Sequence, residues 1–307
     1  MRAPTPGFTT RFAPAPTGAL HLGHAVNALW VWGLARRFGG RVLLRIEDHD
    51  RGRCRPAYEQ GILDDLDWLG LVPDGLTTDD FRAGSVPQRQ SDNTVRYETR
   101  LAELDTRGLV YPCTCSRAEI ARATEAHEGL ELTYPGTCRG RSKDPERVDH
   151  EQVGLRVLMT GDAPERFDDL RLGPQSHDPM TQCGDLLVRD RLGQWTYQFA
   201  VTVDDWEQGI DLVIRGEDLL ASTGRQLRLA RLLGRATPPA FLHHPLLRHP
   251  DGRKLSKSSN DTGLAEFRAA GWAPARLFGL AAQLSGLQSE PTPCTVAQLA
   301  DLFATVE

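Results

Sequence analysis

The chain is expected to adopt an α/β fold built on a parallel sheet, and two observations predict it. Segments patterned as strand and as helix alternate from the N-terminus, and the first helix carries a stripe of apolar residues at helical spacing. "FTTRFAP" is a short strand. "GALHLGHAVNALWVWGLARRFGG" is a turn followed by a helix, in which Val26, Leu29, Trp30, Gly33 and Leu34 form a core-facing face and Gly39 and Gly40 end it. "RVLLRIED" follows as a buried strand and "AYEQGILDDLDWLGL" as a second helix. Strands joined through helices pair in parallel with right-handed crossovers.

From about Thr106 the pattern changes. "GLVYPCTCSRAEIARA" opens a small cysteine-bearing segment, and "RGRSKDPERVDH" is a charged loop. Strand-like runs follow: "VGLRVLM", "DLLVRDRLGQWTYQFAVTVDD" with "RLGQ" as a turn, and "DLVIRGEDLL". "TGRQLRLARLLG" returns to helix, and the last fifty or so residues are expected to be helical.

Composition narrows the function. With 307 residues, 40% hydrophobic and 25% charged, the sequence is that of an ordinary globular protein. A net charge of -5 argues against a protein that simply coats nucleic acid, so any RNA contact must come from a local patch. No apolar run is long enough to cross a membrane, and "MRAPTPGFTTRFAPAP" lacks the apolar core of a signal peptide, so a cytoplasmic location is expected. Six unevenly placed cysteines are too few for a disulfide framework, and in a reducing compartment the clustered ones read as metal ligands, with Cys54, Cys183 and Cys294 as packing residues.

Of 36 lysines and arginines only three are lysines, and Lys254 and Lys257 fall together in the Gly/Ser-rich run "GRKLSKSSND". Lysine is a compact mobile point charge where arginine is a wide planar fork, so the pair suits a small anion that comes and goes. At the other end of the chain, "PAPTGALHLGH" places His21 and His24 where strand gives way to helix. Unpaired N–H groups and a positive dipole end make such a place fit for phosphate, and Gly18 and Gly23 would let a nucleotide approach. Taken alone, H-x-x-H is better explained by two capping or packing histidines.

The two features together resemble the class I aminoacyl-tRNA synthetases, with "HLGH" and "KLSKS" as their two signatures. "RFAPAPTGALHLGH", "RIEDHD", "TYQFAVTVDD" and "VIRGEDLL" are similar to the glutamyl branch, from about Arg11 to Ser259. The resemblance implies a Rossmann-type parallel sheet with an inserted zinc-bearing subdomain and a short helical C-terminal region. It divides the chain into residues 1–105 and 191–240 as the halves of the catalytic domain, 106–190 as the insert, and 241–307 as the lysine loop and helical end. It implies ATP, with Mg2+, bound by His21, Gly23, His24 and Lys257, with Lys254 supporting the loop. Glutamate would be held by Arg11, Ala13, Ala15, Glu47, Tyr197 and Arg215, Glu47 taking the ammonium. Ala15 stands where the family commonly has serine, which removes one hydroxyl contact. Outside these motifs each would read as an ordinary charge or strand aromatic.

Cys113, Cys115 and Cys138 make a tetrahedral zinc corner lacking one ligand. The family pattern C-x-C…Y-x-x-x-C supplies Tyr134 as the fourth ligand, with His127 as the alternative; three free thiols would be the outcome if the metal had been lost. Fewer than fifty residues follow Ser259, where a full glutamyl enzyme continues into an anticodon-binding region. This resembles the family's shortened paralogues and implies glutamate activation without tRNA, then transfer to the queuosine base of tRNA(Asp) by a monomer. Arg225, Arg228, Arg231 and Arg235, with Arg51, Arg53 and Arg55, are candidate RNA contacts or plain solvated charge. The alternatives are the catalytic part of an enzyme charging tRNA(Glu), a small-molecule adenylyl transferase, which leaves "RIED" and the cysteines unexplained, and a non-catalytic RNA binder, which leaves the histidines and lysines unexplained.

Overall fold

The computed structural model describes residues 1–124, 132–140, 153–161, 163–247 and 263–306. Lys143, Lys254, Lys257 and His127 lie outside the described residues. The chain runs β1 (Thr9–Phe12), α1 (Leu22–Phe38), β2 (Arg41–Leu44), α2 (Pro56–Leu69), α3 (Thr78–Ala83), α4 (Thr94–Thr106), β3 (Val110–Cys113), α5 (Arg117–Ala123), β4 (Gly154–Val157) and β5 (Glu165–Asp169). It continues through β6 (Gly173–His177), α6 (Pro179–Gln182), β7 (Leu186–Arg189), α7 (Tyr197–Glu207), β8 (Leu212–Gly216), α8 (Thr223–Leu233), β9 (Ala240–His244), α9 (Leu264–Ala269) and α10 (Pro274–Leu284).

The expected α/β architecture with parallel strands is present. β1 pairs parallel with β2 in register Thr9 to Arg41, and β8 pairs parallel with β9 in register Leu212 to Ala240. Asp211 joins the two pairs: its carboxylate accepts from the Thr9 N–H at 2.7 Å and its own N–H donates to the Thr9 carbonyl at 3.1 Å. β5 touches β9 in parallel at Asp169 and Phe241, and β6 closes that edge antiparallel to β5. β3, β4 and β7 form a separate antiparallel sheet.

Helix α1 is more deeply buried than its stripe predicts. Nearly every residue from Ala25 to Ala35 is buried, because β1 and β8 lie on one side while α10 and the 3-10 run Val296–Phe303 lie on the other. The apolar face widens into an apolar cylinder, as expected of a helix inside a layered core. Gly39, in the left-handed region at φ 66°, ends it as the Gly-Gly pair predicts.

One expectation is corrected. "TYQFAVTVDD" is not a strand: Tyr197–Glu207 is helix α7. Its β-branched residues give it a strand-like composition, and burial of every residue from Phe199 to Asp205 erases the one-sided period that marks a helix. Packing against α4 and α8 overrides local propensity. The turn at "RLGQ" does form, with Arg189 bridging to Trp195. β5 and β6 were not legible, since "ERFDD" and "GPQSH" carry little apolar alternation.

Candidate active site and cysteine corner

Strand ends β1, β8 and β9, with the segment after β2, surround a cleft of about 370 Å³ lined by Arg11, Ala13, His21, Gly23, His24, Glu47, Tyr197 and Arg215, together with Asn27, Asp218 and His244. Carboxyl ends of parallel strands are where α/β sheets leave an open crevice. Of the glutamate and ATP residues expected from the sequence, Ala15 and Gly18 are the described ones absent from this lining. Lys254 and Lys257 fall outside the described residues.

At the helix start the two histidines cap one another's backbone. His21 Nδ1 accepts from the Gly23 N–H at 3.1 Å, and His24 Nδ1 accepts from the His21 N–H at 3.1 Å. With Nδ1 accepting, each neutral ring carries its proton on Nε2. Capping and anion binding are therefore not rivals here, because the cap uses one ring nitrogen and turns the other into a donor. Gly23 has a reason besides nucleotide approach: a Cβ there would lie 2.9 Å from His21 Cε1 and push the ring away.

The opposite wall is cationic. Arg215 is 3% exposed and is held only by neutral acceptors, Nε by His243 Nε2 at 3.1 Å, Nη1 by Gln226 Oε1 at 2.7 Å and Nη2 by Thr223 Oγ1 at 2.8 Å. Among the described residues no carboxylate lies within ion-pair distance of it, and burial pushes its pKa below the ordinary arginine value. An unneutralised buried guanidinium is costly unless an anion arrives. Arg11, beside it, already serves Asp205 at 2.9 Å through Nε. Asp205 also accepts from Arg45 Nη2 at 2.6 Å, and Arg45 reaches Glu47 at 3.3 Å. Burial alone would raise the Asp205 carboxyl, but Arg11 and Arg45 hold it down at about 2. Burial raises Glu47 instead, against the pull of Arg45 and Arg11, so Glu47 gains from a further cation. Tyr197, the first residue of α7, has its hydroxyl pushed up by burial and by Glu47, which keeps it a donor.

The cysteine corner forms as the spacing suggests. Sγ atoms of Cys113, Cys115 and Cys138 lie within 4.8 Å of one another, a set that could hold a metal ion. Tetrahedral zinc with bonds of about 2.3 Å needs sulfurs about 3.8 Å apart. The Tyr134 hydroxyl sits among them, donating to Cys113 Sγ at 3.5 Å and accepting from the Cys138 N–H at 2.8 Å. Gly184 makes this possible: at φ +65° it lies so close under Tyr134 that a Cβ would come 2.1 Å from the Tyr134 carbonyl oxygen. Arg156 donates to Cys113 Sγ at 3.2 Å and stacks 3.6 Å over the Tyr134 ring, a cation suited to thiolates. Burial opposes ionisation of Cys138, yet hydrogen bonds from the Thr114 backbone, Tyr134 and the neighbouring thiols bring it down to about 7. A second cavity of about 790 Å³ runs from this corner past Arg156 and Gln198 to Tyr197, which borders both cavities.

The arginines expected to meet RNA divide. Arg225 and Arg228 are 2% and 1% exposed: Arg225 lines the second cavity, while Arg228 is structural, binding Glu165 and the carbonyls of Met159, Thr160, Gly161 and Ala163. A helix period does not reveal which basic residues a neighbouring acid will draw inward. Arg231 is exposed but paired with Glu165, and Arg235 is half-buried. Arg51, Arg53 and Arg55 are exposed, Arg51 bound to Asp48 at 2.5 Å and Arg53 to Asp50 at 2.6 Å. Arg45, Asp205, Thr223, Gln226 and His243 were not expected from the sequence, although all but His243 lie within the runs "RIEDHD", "TYQFAVTVDD" and "TGRQLRLARLLG".

Residues 8–290 match the family of class I tRNA synthetase (E and Q) catalytic domains, and the chain belongs to that family. It is similar to the glutamyl-Q tRNA(Asp) synthetases of Symbiobacterium thermophilum, at 44% identity over 95% of this chain and 91% of the relative, and of Nitratidesulfovibrio vulgaris, at 41% over 96% and 91%. A glutamate tRNA ligase from Elizabethkingia meningosepticum, solved in complex with its amino acid, superposes with a TM-score of 0.78 at 26% identity; 95% of this chain covers 64% of that one. Among the described residues no helix is long and apolar enough to cross a membrane.

Proposed function

We propose that the chain activates L-glutamate with ATP in the absence of tRNA and passes the glutamyl group to the queuosine base in the anticodon loop of tRNA(Asp). The observation that carries the amino-acid half is Arg215, a buried guanidinium with no carboxylate partner among the described residues, facing a cleft whose other end is the His21/His24 helix start. In this reading Arg215 and Arg11 hold the side-chain carboxylate of glutamate, Glu47 takes the ammonium and Tyr197 donates a hydrogen bond. The α-carboxylate attacks the α-phosphate of ATP, a C–O–P linkage forms, and pyrophosphate leaves. The Nε2–H groups of His21 and His24, with Lys257 and Lys254, meet the charge that builds on the phosphates, and Mg2+ accompanies ATP. A hydroxyl of the modified base then attacks the acyl carbon and AMP leaves.

The acceptor half is supported by the names of the relatives matched over 91% of their own length, and the 790 Å³ cavity beside Tyr197 offers room for a base. We read residues 1–105 and 191–240 as the catalytic halves, 106–190 as the insert, and the protein as a cytoplasmic monomer. A second reading, the catalytic part of an enzyme charging tRNA(Glu), draws on the likeness to the solved glutamate ligase. Radiolabelled glutamate, ATP and three tRNAs separate the two. Queuosine-containing tRNA(Asp) is expected to take up label that survives removal of its 3′ nucleotides, and unmodified tRNA(Asp) to stay unlabelled. Efficient labelling of the 3′ end of tRNA(Glu) would overturn the proposal in favour of the second reading.

The same proposal makes Cys113, Cys115, Cys138 and Tyr134 the ligands of one structural Zn2+, which when bound ties the strand end of β3 to the 132–140 segment. Metal analysis should return about one zinc per chain, and Cys138→Ser should lose it. Folded, metal-free preparations would reject the corner as a zinc site.

A further inference from the structure

Arg215 is oriented by a buried pair that the activation chemistry does not touch. His243, at 0% exposure on β9, stands between Arg215 and Asp169. Its Nδ1 lies 2.7 Å from Asp169 Oδ2, and Nε2 lies 3.1 Å from Arg215 Nε and 3.2 Å from Thr223 Oγ1. Asp169, also 0% exposed, is itself fixed: Oδ2 accepts from the His243 N–H at 3.1 Å, and Oδ1 from the N–H groups of Arg171 and Leu172 at 3.0 and 2.9 Å.

The proton positions follow from the partners. A carboxylate beside Nδ1 keeps the proton there, so Nε2 presents a lone pair to the Arg215 Nε–H. Thr223 Oγ1 lies 3.2 Å from the same nitrogen and accepts from Arg215 Nη2, so it braces the guanidinium from the other side. Burial keeps the ring below the ordinary histidine pKa despite Asp169, so it stays the neutral acceptor this pattern needs. Were Asp169 in direct contact with Arg215, it would orient the guanidinium equally well but would neutralise it, and the cleft would lose its attraction for a carboxylate. The imidazole transmits orientation from the carboxylate while keeping it one side chain away.

We propose that His243, held in its Nδ1–H tautomer by Asp169, is the positioning residue that aims Arg215 at the substrate carboxylate while leaving its charge uncompensated. The proposal rests on the reading of glutamate as substrate. It assigns His243 to ground-state binding of the amino acid and to no step of phosphate chemistry.

Two substitutions divide the ring's two contacts. His243→Asn retains a donor where Nδ1 stands but offers Arg215 nothing, whereas His243→Gln places a carbonyl oxygen near the Nε2 position and gives up Asp169. Glutamate-dependent ATP/pyrophosphate exchange is measured with both, alongside thermal melting. His243→Asn is expected to raise KM for glutamate about ten-fold with KM for ATP and kcat little changed, as for a buried donor left unsatisfied. His243→Gln is expected to stay within about two- to three-fold of wild type, because the bond to Arg215 is restored. Equal KM for glutamate in wild type and both variants overturns the positioning role. So does an equal rise in both that tracks the loss of melting temperature, since packing alone would produce it. If the wild-type protein shows no exchange with glutamate, the substrate reading itself falls, and with it this inference.

Discussion

Arg215→Met is expected to lower kcat/KM for glutamate by about a hundred-fold or more while leaving KM for ATP near wild type, the loss typical of truncating a buried charge that meets its partner's charge. The same substitution should leave the melting temperature of the ligand-free protein unchanged or raised. Arg215 has no carboxylate partner among the described residues, and its three acceptors are neutral, so the apo protein bears the desolvation cost of the guanidinium without Coulombic return. Activity and stability are predicted to move in opposite directions. A variant that melts well below wild type, or one that retains glutamate-dependent exchange, would show that Arg215 is a structural cation.

Asp205 should behave in the contrary way. It neutralises two arginines, Arg11 at 2.9 Å and Arg45 at 2.6 Å, and Arg45 is wholly buried. Asp205→Asn leaves both guanidinium groups with Glu47 as the nearest remaining carboxylate and is expected to cost about 3–5 kcal/mol in chemical unfolding. The pH dependence has a definite sign. The folded carboxyl titrates at about 2 against an ordinary 3.8, so the unfolded state binds more protons between these values. The stabilisation is complete above pH 4 or so and is lost as pH falls toward 2. Wild type and Asp205→Asn should therefore converge in stability on acidification through that window. A difference that persists unchanged to pH 2 would place the effect elsewhere.

The residues that line the cleft were legible because they fall in short contiguous motifs similar to those of the glutamyl branch. Strand, turn and helix start bring Arg11, His21, Gly23 and His24 together within fourteen residues; a helix N-terminus there allows an anion site, but the histidines alone would read as caps, and it is the likeness of the whole run to the synthetase signatures that singles them out. The three thiols of the cysteine corner were legible from ligand type and spacing, whereas Tyr134 came only from the family pattern, with His127 as the alternative. The supporting residues were not. Arg45 and Asp205 stand at the edges of quoted motifs and His243 outside them, and the roles of all three come from partners more than twenty positions away in sequence. Arg228 misled in the opposite direction: a basic residue on an arginine-rich helix reads as surface until Glu165, on another element, is seen to draw it inside.

Helix α7 marks the boundary most clearly. Its composition favours a strand, and nothing within "TYQFAVTVDD" reveals that α4 and α8 will enclose it; the helix is chosen because that packing buries Phe199 and Val203 while pointing Asp204 at Tyr97 and Asp205 at Arg11. The sequence by itself determined the alternating α/β order, the phosphate-ready helix start, the thiol corner and the glutamyl-branch motifs, all of them set by residue type at short spacing. Only the tertiary structure decided which buried arginines meet a carboxylate, as Arg11, Arg45 and Arg228 do, and which, like Arg215, have none among the described residues. That outcome is a balance of desolvation against Coulombic pairing, and it depends on distances between side chains that the chain brings together only when it folds.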